Sequence, residues 1–92
     1  MHGSRVIVSV LGEDRVGIIA AVANILSANR INILDISQTI MQELFTMILI
    51  ADMGQSQIDL ATLKEQLHEA GGELGLKIDA QHEDAFRFMH RI

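Results

Sequence analysis

The spacing at which apolar residues recur changes along this chain, and the order of those changes leaves few folds open. Arg5 to Leu11 (RVIVSVL) is rich in β-branched residues and bounded by Gly3 and Gly12. It reads as a strand that is apolar on both faces except at Ser9. Ile18 to Asn29 (IIAAVANILSAN) then places Ile18, Ile19, Val22, Ile25 and Leu26 on one stripe at helical spacing. Its alanines allow close packing on a sheet. Asn29-Arg30 is the expected stop, because asparagine tolerates the left-handed position that ends many helices.

Ile31 to Gln42 returns to alternation, with Leu34, Ile36, Gln38 and Ile40 facing one way and Asp35, Ser37 and Thr39 the other. That is the pattern of a half-solvated strand. Gln42-Glu43 makes a short hairpin connection, although it lacks the asparagine-glycine chemistry that favours such turns. Leu44 to Met53 (LFTMILIADM) is the most apolar run. It is too short to cross a bilayer as a helix and reads as a central strand. Asp59 is the simplest cap for a second helix, Leu60 to Ala70, which Gly71-Gly72 would terminate. Leu74 to His82 alternates again, with Leu76, Ile78 and Ala80 inward. Asp84 to Ile92 reads as a short C-terminal helix capped by Asp84, with Phe86 and Met89, or Phe88 and Ile92, available to dock on the sheet.

The resulting order is β-α-β-β-α-β with a terminal helix. Right-handed crossovers place both helices on one face of a four-stranded antiparallel sheet, an α+β ferredoxin-like sandwich. Residues 1–92 are expected to form one domain, with a flexible N-terminus over 1–4 and a helical tail over 84–92. The first and third strands are apolar on both faces, yet only one face receives the two helices. The other face needs cover from the terminal helix or from another subunit, so the chain is expected to form a homo-oligomer, most simply a dimer.

Composition removes several function classes. Twelve acidic and seven basic residues leave a net charge of −5, which disfavours nucleic acid and anionic membranes as partners. Aromatics are 3% of the chain, so base-stacking platforms are poorly supplied. The absence of cysteine excludes a disulfide framework, thiolate metal sites and a cysteine nucleophile. The spacing of His82 and His90 matches no strong metal-ligand signature. Met41, Met47, Met53 and Met89 read as core or interface filler. No cofactor is expected. No leader or spanning segment is visible, and a cytoplasmic location is the default.

The segment with chemistry in it is Gly12-Glu13-Asp14-Arg15-Val16-Gly17-Ile18, between the first strand and first helix. A helix starting near Gly17 points its first N–H groups into this turn without intrahelical partners, which favours an anion. Arg15 adds a second donor. Asp14, Asp35 and the carbonyl of Asn32 supply acceptors for a cation, so the set suits a ligand with both charges, such as an amino acid. Each feature also has a plain structural reading. Gly17 fits a tight turn, Asp14 and Arg15 form a solvated pair, and Asn32 and Asp35 keep a strand edge polar.

Gly12-x-Asp14-Arg15-x-Gly17-Ile18, together with Asn32-Ile33-x-Asp35-Ile36 and the ending Gln81-His82-Glu83-Asp84…Met89-His90-Arg91-Ile92, resembles the ACT domain family, and in particular its stand-alone bacterial and archaeal members. The resemblance spans essentially the whole chain. It implies a non-enzymatic, allosteric regulatory module that senses an amino acid or related metabolite at a subunit interface and signals to a partner protein not yet identified. The ligand-contacting positions it implies are Asp14, Arg15, Val16, Gly17 and Ile18 in the turn, and Asn32, Ile33, Leu34 and Asp35 in the second strand.

Two other classes compete. A ligand-free dimerisation scaffold needs no site chemistry at all. An acylphosphatase shares this fold and cradles phosphate in the same turn, but there the turn is followed by a helical arginine where this chain has Ala21. Glu13 and Asp14 would also repel a phosphate.

Overall fold

The structure, a computed structural model, describes residues 4–89, with side chains described as far as Arg87. Its elements are β1 (Arg5–Glu13), α1 (Ile18–Ala28), β2 (Asn32–Met41), β3 (Leu44–Asp52), α2 (Leu60–Leu74), β4 (Lys77–His82) and α3 (Glu83–Met89). The strands form one antiparallel sheet in the order β2-β3-β1-β4. This is the ferredoxin-like arrangement, with α1 and α2 on one side and a short helix at the C-terminus.

The core lies between that side of the sheet and the two helices. Val6, Val8 and Val10 of β1 alternate inward with Phe45, Met47, Leu49 and Ala51 of β3, and all are buried. Val22 and Leu26 of α1 and Leu63 and Leu67 of α2 close over them. Each of these larger side chains contributes about 1.5–3 kcal/mol by leaving water. The run read as a central strand, β3, is central.

Helix ends depart from expectation in instructive ways. Gly71 and Gly72 do not stop α2, which continues to Leu74 and ends at Gly75 with φ 72°. Gly71 serves close packing instead. A Cβ there would lie 2.6 Å from the Leu76 carbonyl oxygen and 3.3 Å from Ile78 Cγ1. Residues 74–76, read as the start of a strand, therefore form the end of the helix and the turn after it. The inward set of Leu76, Ile78 and Ala80 is buried as expected. Asp59 caps α2 through a 2.9 Å bond from the Thr62 N–H.

At the end of α1 the left-handed residue is Arg30, with φ 60°, not Asn29. The Ile31 N–H reaches Leu26 O at 2.9 Å and the Arg30 N–H reaches Ser27 O at 3.1 Å. These are the two bonds of a Schellman motif, sealed by the buried pair Leu26 and Ile31. The β2–β3 hairpin turns on Gln42 and Glu43, with φ 51° and 72°.

Gly12 lies inside β1 and does not end it. A Cβ there would lie 2.5 Å from Leu76 Cδ2, so the glycine admits the α2–β4 connection. Asp14 N–H donates to Glu43 O at 2.8 Å, extending the ladder beyond the strand.

α3 follows β4 directly and contacts β1 and β4. It is held by Arg5, whose guanidinium pairs with the buried carboxylate of Glu83. Ile7, on the sheet face turned away from α1 and α2, is buried there. The rest of that face is less covered. Ile48 and Ile50 are half-buried, and Leu11 and Leu44 are exposed. The terminal helix therefore supplies part of the cover that the apolar strands require. The expected docking of Phe88, Met89 and Ile92, and any role of His90, fall outside the described side chains.

Candidate functional site

The turn predicted to bind a ligand is built by two constraints. Gly17 is the residue before α1 and has φ 94° and ψ −1°, a left-handed backbone that side-chain-bearing residues resist. A Cβ at Gly17 would meet nothing within 4 Å, so conformation and not space selects glycine. No side chain caps α1, and its first turn contains no acid. The first N–H groups of α1 are thus available to an acceptor from outside. Val16 beside them is 97% exposed, an unusual position for a β-branched apolar residue. Ile18 turns inward and is buried. Arg15 reaches back instead of over the turn, donating from Nη1 to Leu74 O at 2.9 Å, at the C-terminal end of α2.

The second predicted group lies far from this turn within one copy. Asn32 is paired with Asp52, which also faces Arg5 at the start of β1. Met41, at the other end of β2, is paired with Leu44, which faces Glu13 beside the turn. Asn32 and Met41 are the two ends of a ten-residue strand, about 30 Å apart. Asp14 to Ile18 therefore stand at one end of the sheet. Asn32 stands at the other, with Ile33, Leu34 and Asp35 following it. The Asp35 carboxylate accepts from the Ile36 N–H at 2.8 Å.

β2 is an edge strand, and every one of its residues is exposed. It is more open than the half-solvated strand expected. A bulge between Ile33 and Asp35 shifts the alternation, so Ile33, and not Leu34, joins Ile36, Gln38 and Ile40 on the helix side. Ile33, Ile36 and Ile40 are 37%, 42% and 56% exposed there, because α1 barely overlaps this strand.

Two adjoining concavities lie near the start of β2. The larger, of about 510 Å³, is bounded by Ser27, Arg30, Asn32 and Gln55 over an apolar floor of Ala23 and Ile33. The smaller, of about 350 Å³, is lined by Arg30, Asn32, Asp52 and Gln55. Of these residues the sequence reading had singled out only Asn32 and Ile33.

The model for the ACT domain matches residues 4–81. A UPF0237 protein of Methanocaldococcus jannaschii is 55% identical over 89 residues, covering 97% of this chain and 99% of that one. The chain belongs to the ACT domain family. A UPF0237 protein of Methanosarcina mazei is 49% identical over the full length of both chains. Among solved structures, an ACT domain protein from Streptococcus pneumoniae superposes with a TM-score of 0.79 at 32% identity, covering 91% of this chain and 94% of that one. The regulatory subunit of aspartate kinase from Thermus thermophilus shares the fold, with a TM-score of 0.66 at 19% identity over 88% of this chain and 52% of that one. ACT domains are, as a family, regulatory modules that commonly bind small molecules and oligomerise.

Two carboxylates of this ACT domain are held by local bonds. Asp52 accepts from Ser4 Oγ at 2.7 Å and from the Gly54 N–H at 2.8 Å, and these bonds hold its carboxyl below the usual range. Arg5 does the same for Glu83, against the opposing effect of burial. Among the described residues, no three histidines or carboxylates gather closely enough to hold a metal ion. No described helix is long and apolar enough to cross a membrane.

Proposed function

We propose that this ACT domain is a non-enzymatic regulatory module that binds a small zwitterion, an amino acid or close relative, between two copies of the chain and conveys its presence to a partner protein. The observation that supports this most is the position of the two candidate groups at opposite ends of the sheet whose exposed edge is β2. If two β2 strands pair antiparallel about a two-fold axis, the start of each lies beside the end of the other. The Asn32–Asp35 segment of one copy then approaches the Asp14–Ile18 turn of its partner. One ligand would touch both, its carboxylate on the open N–H groups of α1 and its ammonium near Asp35 or the Asn32 carbonyl.

The strand itself favours such pairing. A long edge with Ile33, Ile36 and Ile40 beside open backbone groups is a liability in a monomer and an interface in a dimer. A ligand that contacts both copies prefers one arrangement of them over another, which is the requirement for regulation. The acidic turn residues Glu13 and Asp14 weigh against phosphate chemistry at the same place.

The experiment is a ligand-observed NMR screen of amino acids, followed by Arg15→Ala and Asp35→Ala on any hit. Binding that either variant weakens supports the reading. A dimer that binds none of them at millimolar concentration would favour a ligand-free scaffold.

A further inference from the structure

The sheet has two outer edges, and they are finished differently. β2 offers ten residues, all exposed, of which only Asp35 is charged. β4 is the opposite edge and has six. Ile78 and Ala80 of β4 are buried in the core, so Lys77, Asp79 and Gln81 face the side of the sheet away from the helices. His68 belongs to α2, on the helix side. Yet Asp79 Oδ1 lies 3.4 Å from His68 Nε2 and accepts from the Ala80 N–H at 2.8 Å. The carboxylate therefore folds around the outer edge of β4, and the N–H it takes points outward, away from β1.

α2 covers the beginning of the same edge. The Leu76 N–H donates to Gly71 O at 2.8 Å, and a Cβ at Gly71 would lie 3.5 Å from the Ile78 nitrogen. Beyond that cover the surface is attractive to another strand. A concavity of about 440 Å³, floored by Gly72, Leu76 and Ile78, runs beside the strand. Outward backbone groups next to apolar surface are what recruit an added strand. A strand arriving here must displace the Asp79 carboxylate from Ala80 or bury it, and the exposed Lys77 adds a second charge to desolvate. β2 is less defended. Asp35 takes the Ile36 N–H at 2.8 Å, but nothing else among the described residues holds its carboxylate.

We propose that His68 and Asp79 form a latch that closes the β4 edge against a second copy of this chain, so that copies join through β2 alone. The consequence is geometric. Two-fold pairing at one edge gives a closed pair. Two-fold pairing at both edges joins every copy to two neighbours and gives a sheet that grows without end. The limit to two copies rests on the β2 pairing proposed above; the closure of β4 does not.

The test is the mass of the full chain by sedimentation velocity, from micromolar to millimolar concentration. Three forms are compared: wild type, His68→Ala, and Lys77→Thr combined with Asp79→Thr. The combined variant removes one charge of each sign and leaves the net charge at −5, so a change in assembly is not a change in overall repulsion. The wild type is expected to hold at no more than two copies, and the combined variant to form larger species as concentration rises. In that variant the Ala80 amide should exchange about tenfold more slowly at the higher concentration, because the added strand bonds it. His68→Ala unpins the carboxylate without removing it, and should grow at concentrations about tenfold higher than the combined variant. A wild type that stays single while the combined variant pairs would support the latch and count against β2 pairing. A combined variant that matches the wild type at every concentration would overturn the latch. His68→Ala that matches the wild type while the combined variant grows would overturn the latch as a pair, leaving Asp79 to close the edge alone. Growth of the combined variant without added protection at Ala80 would place the contact elsewhere and overturn it too.

Discussion

Arg15 donates from Nη1 to the carbonyl of Leu74 at 2.9 Å, tying the loop that begins α1 to the last turn of α2. The final carbonyls of a helix lack intrahelical partners and carry the negative end of its dipole, so a cation there is stabilising. Arg15→Ala is expected to cost about 0.5–1 kcal/mol of folding stability, read from the midpoint of urea denaturation. A loss of ligand binding much larger than this would show that Arg15 also serves the turn.

Gly71 and Gly72 are neighbours in α2 with opposite environments. Alanine at 72 meets nothing within 4 Å and should stabilise the helix by about 0.5–1 kcal/mol. Alanine at 71 would press on the Leu76 carbonyl at 2.6 Å. There the gain in propensity is outweighed by a clash with backbone, and a net loss of about 1–3 kcal/mol is expected. Thermal unfolding of the two single variants checks the sign of each.

The hairpin at Gln42-Glu43 holds two side-chain-bearing residues at positive φ. The replacement Gln42→Asn with Glu43→Gly supplies the residues that such turns favour. It should raise stability by roughly 1–2 kcal/mol, measured by denaturant unfolding, without altering the register of β2 and β3.

Acid should weaken the tie between β1 and α3. The Glu83 carboxyl is held below its usual value by the hydrogen bond from Arg5, with Arg87 adding to the effect. A carboxylate depressed in the folded state stabilises fully above its unfolded pKa, near 4.5, and loses that contribution as pH falls through the folded value. Asp52 and Asp59 are lowered as well, from 3.8. The contribution of these three carboxylates should therefore be constant from neutral pH down to about 5 and fall below about 4.5. Glu83→Gln should be less stable than wild type at neutral pH, with the difference shrinking in acid. Unfolding followed by circular dichroism across pH checks both.

The element order was readable because the period of apolar residues distinguishes strand from helix, and because Asp59 stands directly before a helical run. Glycine was harder. Gly71 and Gly12 serve close approach between elements, while Gly17 and Gly75 serve a left-handed backbone, and the letter alone does not separate these uses. A bulge at Leu34 changes which residues share a face and leaves little trace in composition. The separation of Asn32 from the turn was derivable. Strands joined by a crossover helix run parallel, so β2 begins at the same end as β1, away from the turn that follows β1. Arg30 was read only as part of the stop after the first helix, because its neighbour Asn29 is the residue type more often found left-handed. Asp52 and Gln55 join Arg30 only through the pairing of β2 with β3 and the loop that follows.

Pairing of two β2 strands is the claim on which the shared site depends, and the distance between copies tests it most directly. The chain has no cysteine, so a spin label goes only where a cysteine is introduced. Pulsed electron resonance on Ser37→Cys, near the middle of β2, should give an intermolecular distance below about 20 Å. The same measurement on Met41→Cys, at the end of the strand, should give about 30 Å or more, because antiparallel pairing carries the two ends apart. No intermolecular distance at micromolar protein, or a shorter distance for residue 41 than for residue 37, would contradict the shared site.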